Sequence, residues 1–301
     1  MLRPIKDERI KYSVDYNLDT EFSAYARLLQ SKWRESKGFP FEKYGNFLPE
    51  EFAREGMDNF LTDKIKILVQ YELNRAGIYK KLIDEKRMWT NLLSSQPLCF
   101  NLFGEMHFNH VLATNFFKTL FPDKVDKVTD VLFEHSPGRG DKNFTGDYSA
   151  FDVFVEYTRN NIKGFIGIEV KYAESLEEGK ENALPTYIRH KERYDQLTTA
   201  DIFREERKEL LKFNPNAQIW RDHLLSIATQ KKYDEGFFVF LYPEQNIECQ
   251  RGVESYINCL SSSDENITGF YPRYLETFIS VLQNISKDSW IQELSNRYLG
   301  Y

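Results

Sequence analysis

The run Phe165-Ile166-Gly167-Ile168-Glu169-Val170-Lys171-Tyr172 constrains this chain more than any other segment. It is apolar except for two charges, and period-2 alternation places Glu169 and Lys171 on one face with Ile168, Val170 and Tyr172 on the other. The apolar surroundings suit a central strand, where charges are costly without a metal or partners. A second apolar run, Phe151 to Tyr157, precedes it. The residues between, Arg159-Asn160-Asn161, have the composition of a hairpin turn. Asp152 shares a face with Phe154, opposite Phe151, Val153, Val155 and Tyr157, so a hairpin brings Asp152 close to Glu169.

The rest of the chain reads as helices and strands in an α/β order. The first ~95 residues are mostly helical by apolar spacing, with one helix around Phe22 to Trp33 and another over Phe60 to Leu82, interrupted near Gly77. Ser94 to Pro97 reads as punctuation, and a helix is predicted from Glu105, just after Gly104, to Leu120. Val128 to Glu134 alternates like a strand and is followed by the loop Ser136 to Asp141. After the hairpin come helices over Tyr187–Leu197 and Gln218–Gln230, a buried strand over Gly236–Tyr242, and helices over Val253–Leu260 and Ile291–Tyr298. The order predicts a mixed sheet flanked by helices.

Bulk properties exclude several classes. No apolar run approaches the roughly 20 residues of a transmembrane helix, and the charged start, Arg3 to Glu8, does not read as a signal peptide. Cys99, Cys249 and Cys259 form no CxxC pair, which points to a reducing, cytoplasmic setting without a disulfide framework. A net charge of −6 argues against non-specific coating of nucleic acid, although Thr186 to Tyr233 carries ten Lys/Arg against seven Asp/Glu. Glu105-Met106-His107 and His110 lack the HExxH spacing of a zinc site. P-loop, GxGxxG and GxSxG motifs are absent from the sequence.

Asp152 and Glu169, helped by the carbonyl of Val170, supply the hard oxygen ligands that Mg²⁺ prefers. Lys171 beside them is suited to position a water for attack on phosphorus. The bland reading of Glu-x-Lys on a strand is the solvated face of a half-buried sheet.

Asp152 followed by Glu169-x-Lys171 on the next strand, after a helix bearing Glu105, resembles the PD-(D/E)XK nuclease superfamily. The wider wording is similar to a bacterial, restriction endonuclease-like branch. The segments that carry this likeness are Leu28 to Glu35, Ser94 to Gly104, Gly167 to Tyr172 and Trp220 to Leu225. The resemblance implies an α/β (α+β sandwich) restriction-endonuclease-like core with a four-stranded mixed sheet flanked by helices, here residues 96–301. Residues 1–95 would be a helical extension packed on it. It also implies hydrolysis of nucleic-acid phosphodiesters with Mg²⁺, for which Mn²⁺ can substitute. Carried over by position, Asp152 and Glu169 are metal ligands, Lys171 orients the water, and Glu105 is the acidic residue at the start of the first core helix. The superfamily's proline before the first Asp is replaced by Ala150-Phe151.

Glu134 ends a strand before a Pro-Gly loop and either joins the acidic cluster or binds Arg139; Asp147 reads as a turn residue. Tyr194 and Gln196 sit where relatives place a Gln or Tyr near the site, or else on an exposed helix face. Arg221 is a phosphate-contact candidate, whereas the lone His223 is assigned no catalytic role. DNA is the expected partner, with RNA left open because recognition of the 2′-OH leaves no readable motif here. A homodimer is one way such an enzyme cuts both strands. The leading expectation is a restriction or defence endonuclease. The alternative is a catalytically silent nuclease-like protein that binds nucleic acid or a partner.

Overall fold

Asn160 and Asn161 adopt left-handed backbone, with φ of 49° and 66°, which Asn tolerates and a tight two-residue hairpin turn requires. In the computed structural model, which describes residues 4–176 and 184–300, this turn joins β2 to β3 of a five-stranded sheet. The strands are β1 (Lys127–His135), β2 (Phe151–Arg159), β3 (Ile162–Val170), β4 (Glu235–Tyr242) and β5 (Phe270–Tyr274), in that spatial order. β1, β2 and β3 are antiparallel neighbours, whereas β3–β4 and β4–β5 are parallel. The sheet therefore changes character at β3. The expected four strands become five. The fifth was hidden by its shortness and by Pro272, which an edge strand tolerates and a central one does not.

The helices are α1 (Lys6–Lys11), α2 (Glu21–Ser36), α3 (Glu50–Gly56), α4 (Asp63–Tyr79), α5 (Glu85–Thr90), α6 (Ser95–Phe108), α7 (His110–Leu120), α8 (Leu184–Leu197), α9 (Asn216–Thr229), α10 (Ile247–Ile257), α11 (Glu265–Thr268), α12 (Leu275–Ile285) and α13 (Ser289–Tyr298). Glu205–Lys212 adds a 3₁₀ segment. The helix expected from Glu105 is in fact two. α6 starts ten residues earlier, where Ser94 accepts a hydrogen bond from the Gln96 amide, and Asn109 breaks the chain and caps α7. Buried residues run right round α6, from Leu98 to Met106, so no apolar stripe marks its beginning. Gly77 sits inside α4 without interrupting it.

Two apolar layers sandwich the sheet. Val153, Val155, Ile166, Ile168, Val170 and Tyr172 join one cluster with Phe22, Trp33, Ile65 and Trp89 of the N-terminal helices and with Phe103, Phe116 and Phe278. On the other face Phe154, Phe165, Phe238 and Phe240 meet Tyr194, Trp220 and Tyr256 of α8, α9 and α10. Close approach at the centre requires small residues. A Cβ on Gly167 would lie 2.4 Å from the Phe151 ring. Gly167→Ala is expected to cost about 1–3 kcal/mol by overpacking, read as a melting temperature lower by several degrees. An unchanged melt would mean that Phe151 has room to move.

Candidate active site

The β2–β3 hairpin pairs from Arg159↔Ile162 to Val153↔Ile168. Asp152 and Glu169 are the residues next beyond the last pair of this register. Asp152 Oδ2 accepts a hydrogen bond of 2.8 Å from the Val170 amide, so its carboxylate reaches across to β3. Lys171 follows directly on β3. Its amide donates to the Leu241 carbonyl of β4 at 2.8 Å, and its Nζ donates to Glu169 Oε1 at 2.9 Å. The group thus stands at the carboxyl end of the strand where antiparallel pairing gives way to parallel, the position at which open α/β sheets place ligands.

Glu169 and Lys171 are only 6 % and 8 % exposed. Burial pushes Asp152 well above the usual carboxylate range, and the charge of Glu169 adds to this against the opposing effect of Lys171 and the Val170 amide. Burial works against the Lys171 charge. Glu169, Glu174 and Asp152 outweigh it and raise Lys171 above the ordinary lysine range, so it remains an ammonium. Glu174 also receives the Ser95 amide (3.0 Å) and hydroxyl (2.9 Å) at the start of α6 and the Tyr172 amide (2.9 Å). It was missed in the sequence because it lies beyond the alternating strand.

α9 supplies a further side of the site. Gln218 Nε2 donates to Glu169 Oε1 at 2.7 Å. Asp222, one turn later on the same helix face, is buried and pushed well above its usual range, by burial first and then by Glu169. Neither had been singled out. Their spacing reads as ordinary helix amphipathicity, and only the fold shows which strand that face meets. Arg221 remains a cation despite burial because Asp222, Tyr194, Asp147 and Glu169 surround it, and its Nε has no hydrogen-bond partner among the described residues.

The other expected residues separate into those near the carboxylates and those apart. Glu134 is near. Its charge raises Asp152, while its Oε1 receives Arg139 Nη2 at 3.3 Å. Asp147 is a turn residue, accepting from the Ser149 amide at 3.0 Å and from Thr145 Oγ1 at 2.7 Å, and it also receives the Tyr194 hydroxyl. Burial would raise Asp147, but these bonds hold it below the usual range. Tyr194→Phe, which removes one bond to this buried acid, is expected to destabilise the chain by about 1.5–3 kcal/mol. A urea melt checks this, and an unchanged midpoint would contradict it.

Glu105 does not open a helix. It lies toward the far end of α6 and receives Thr62 Oγ1 at 2.6 Å and Lys64 Nζ at 3.4 Å. The α6 residue that feels Asp152 and Glu169 is Cys99, six positions earlier and so roughly 9 Å back along the axis. Gln196 is exposed, with its Oε1 accepting from Arg193 at 3.2 Å. His223 is structural: its ring nitrogens meet the Tyr256 hydroxyl and the Thr268 carbonyl, both at 2.9 Å, and burial lowers it to about 4. A cavity of about 580 Å³ lined by Leu68, Tyr71, Tyr79, Lys81 and His135 lies elsewhere, and Asp152, Glu169 and Lys171 take no part in it.

Among the described residues, no group of three or more His, Cys, Asp or Glu side chains converges to hold a metal ion. Mg²⁺, however, is commonly bound through one or two carboxylates, its remaining positions filled by water and substrate phosphate. Asp152 and Glu169 suit that role: Glu169 is buried and Asp152 half-buried at the end of β3, and the charge of Glu169 works against that of Asp152. No helix among the described residues is long and apolar enough to cross a membrane.

Neither curated proteins nor solved structures yield a significant match. The family model of the PD-(D/E)XK nuclease superfamily matches residues 17–300, nearly the whole length. The five-stranded mixed sheet with helices on both faces suits that fold. This chain belongs to the PD-(D/E)XK nuclease superfamily.

Proposed function

We propose that this protein is a metal-dependent endodeoxyribonuclease, with Asp152, Glu169 and the Val170 carbonyl holding Mg²⁺ or Mn²⁺ and Lys171 completing the site. The observation that carries this reading is the β2–β3 hairpin, beyond whose last pair, Val153↔Ile168, Asp152 accepts from the Val170 amide while the Lys171 ammonium lies 2.9 Å from Glu169. When bound, the ion polarises a phosphoryl oxygen and offsets the charge that develops on it. The protein's own groups do the rest. Gln218 and Lys171 fix one oxygen of Glu169 and leave the other free to ligate. Lys171 orients the attacking water by hydrogen bonding, a role that suits a lysine kept charged. Arg221, a half-buried cation whose Nε has no partner among the described residues, would donate to a phosphate oxygen.

A phosphate backbone also needs positive charge at the rim. Arg193 and Lys231 both donate to the Asn143 carbonyl, at 2.8 and 3.1 Å, and Lys232 donates to the Pro137 carbonyl at 2.6 Å. This gathers cations over the loop that carries Asp147 and concentrates binding locally in an acidic protein. A restriction or defence role in the cytoplasm, with a homodimer cutting both strands, follows as the biological setting we infer. The lack of a three-ligand metal group among the described residues favours a second reading, a nuclease-like protein that binds without cutting.

Duplex DNA, single-stranded DNA and RNA incubated with the protein in Mg²⁺, Mn²⁺ or chelator separate the two. Cleavage of DNA that requires metal and is lost in Lys171→Ala is expected. Binding without cleavage under all conditions favours the second reading, and cleavage of RNA alone overturns the DNA assignment.

A further inference from the structure

α4 carries a row of flat groups that the catalytic reading leaves unused. Tyr71, Arg75 and Tyr79 recur at every fourth position and so share one helix face. The Arg75 guanidinium lies 4.9 Å from the centre of the Tyr71 ring and 4.7 Å from that of Tyr79, so a cation joins the two rings. Both rings stay about half exposed, and so does Phe108 at the end of α6. All four border the cavity of about 580 Å³ whose wall is shared by α4, the end of α6 and β1. That is the size of a small-ligand pocket, and aromatic surface left open around such a space marks recognition.

The wall indicates what fits. Among the described residues it carries two cations, Arg75 and Lys81, and two carboxylates, Glu72 and Asp130. Both cations are engaged. Lys81 Nζ pairs with Glu72 and donates to the Phe133 carbonyl at 2.7 Å, while Arg75 donates to the Tyr79 hydroxyl. A balanced wall of this kind is a poor seat for a phosphate or an acidic peptide. An added peptide strand is disfavoured too, because two carbonyls on the outer edge of β1 are already taken, Val131 by His107 Nδ1 at 2.7 Å and Phe133 by Lys81. An uncharged planar ligand suits the space. Asp130 offers its edge an acceptor. His135 offers one donor and one acceptor nitrogen, because burial first, and then Lys81, Arg139 and Lys232, lower it to about 4 and keep it neutral.

The cavity also stands near the carboxylates. Phe133 pairs with Val153 and His135 with Phe151, so these β1 residues flank the position of Asp152. From β1 to β3 is two strand spacings, about 10 Å. A base a few nucleotides from a phosphate held at Asp152 and Glu169 can therefore reach it.

We propose that this cavity receives one nucleobase of the strand held at the active site, swung out of its stack and laid against Tyr71 and Tyr79. The position of the strand rests on the nuclease reading above; the shape and charge of the cavity do not. Stacking on the two rings accepts any base, and hydrogen bonds from Asp130 and His135 to the base edge add a preference among them. Contacts to phosphate alone carry no such information.

The probes are single-stranded and duplex DNA with 5-iodouracil in place of every thymine, bound to the full chain with Ca²⁺ in place of Mg²⁺. Ultraviolet light joins iodouracil to an aromatic ring stacked on it, and peptide mass spectrometry locates the joint. The joint is expected on Tyr71 or Tyr79. The double variant Tyr71→Ala/Tyr79→Ala is expected to bind DNA roughly 5- to 100-fold more weakly, the usual worth of a stacked base. The slope of its affinity against salt should stay that of wild type, because phosphate contacts remain. Both rings are half exposed, so the variant should melt close to wild type. Joints on other rings only, or affinity unchanged in the double variant, overturn the cavity assignment and leave the active-site reading intact. Free 5-iododeoxyuridine monophosphate that joins to Tyr71 or Tyr79 as efficiently as the strand overturns the strand-borne base in favour of a free nucleotide. Failure of wild type to bind either form of DNA overturns the DNA reading itself, and this proposal with it.

Discussion

Replacing Lys171 by methionine is expected to lower metal-dependent cleavage by roughly 10²–10⁴-fold, the size of effect usual for a lost proton-handling or charge-positioning group. The side chain is buried, bonded to Glu169, and kept charged by three surrounding carboxylates. Methionine keeps much of the volume and none of the charge. Without metal the variant leaves Glu169 buried beside Asp152 with its cation gone, a loss of up to about 3–5 kcal/mol for a broken buried pair. Mn²⁺ should restore part of that stability, because the ion takes over the neutralising role. Single-turnover cleavage with urea melts in chelator and in Mn²⁺ separates the two effects. Cleavage close to wild type would remove Lys171 from the site.

Asp152→Asn is expected to lose cleavage comparably, because a ligand worth several kcal/mol of transition-state stabilisation is removed, roughly 10³-fold or more. Its effect on metal-free stability has the opposite sign. The folded-state pKa of Asp152 is raised, by burial and then by Glu169, above the value of about 3.9 in an unfolded chain. Between those values the folded protein binds more protons than the unfolded one, so the stability Asp152 contributes is present at low pH and is lost as pH rises through the folded value. Asparagine has no such dependence. In chelator the variant should therefore gain on wild type as pH rises above about 4 and level off beyond the folded pKa. Saturating Mn²⁺ should reverse the order. A variant less stable than wild type in chelator throughout would show that Asp152 is not held against its own charge.

The hairpin was readable from residues because each of its signals is local. Two asparagines supply the turn, alternation supplies the faces, and the turn then fixes a register that runs to Val153↔Ile168, with Asp152 and Glu169 next in line. What lay beyond reach is what depends on packing between distant elements. Gln218 and Asp222 sit forty-nine and fifty-three positions after Glu169, on a helix whose contact with the carboxyl end of β3 is decided by the crossover from β3 to β4. Glu105 misled for a related reason. A helix buried on all sides has no apolar stripe, so Glu105 was read as its start although Ser94 caps it. Gln196 was favoured by its place after the Glu-x-Lys strand, yet α8 turns it to solvent, and the glutamine that does reach Glu169 comes from the next α-helix.

We propose that Asp152 and Glu169 bind a divalent ion beside Lys171. Anomalous diffraction from a crystal soaked in Mn²⁺ tests it directly. The expected result is an anomalous peak within bonding distance of both carboxylates at the end of β3. No peak there at saturating Mn²⁺, with Asp152 still bonded to the Val170 amide and Glu169 still bonded to Lys171, would contradict it.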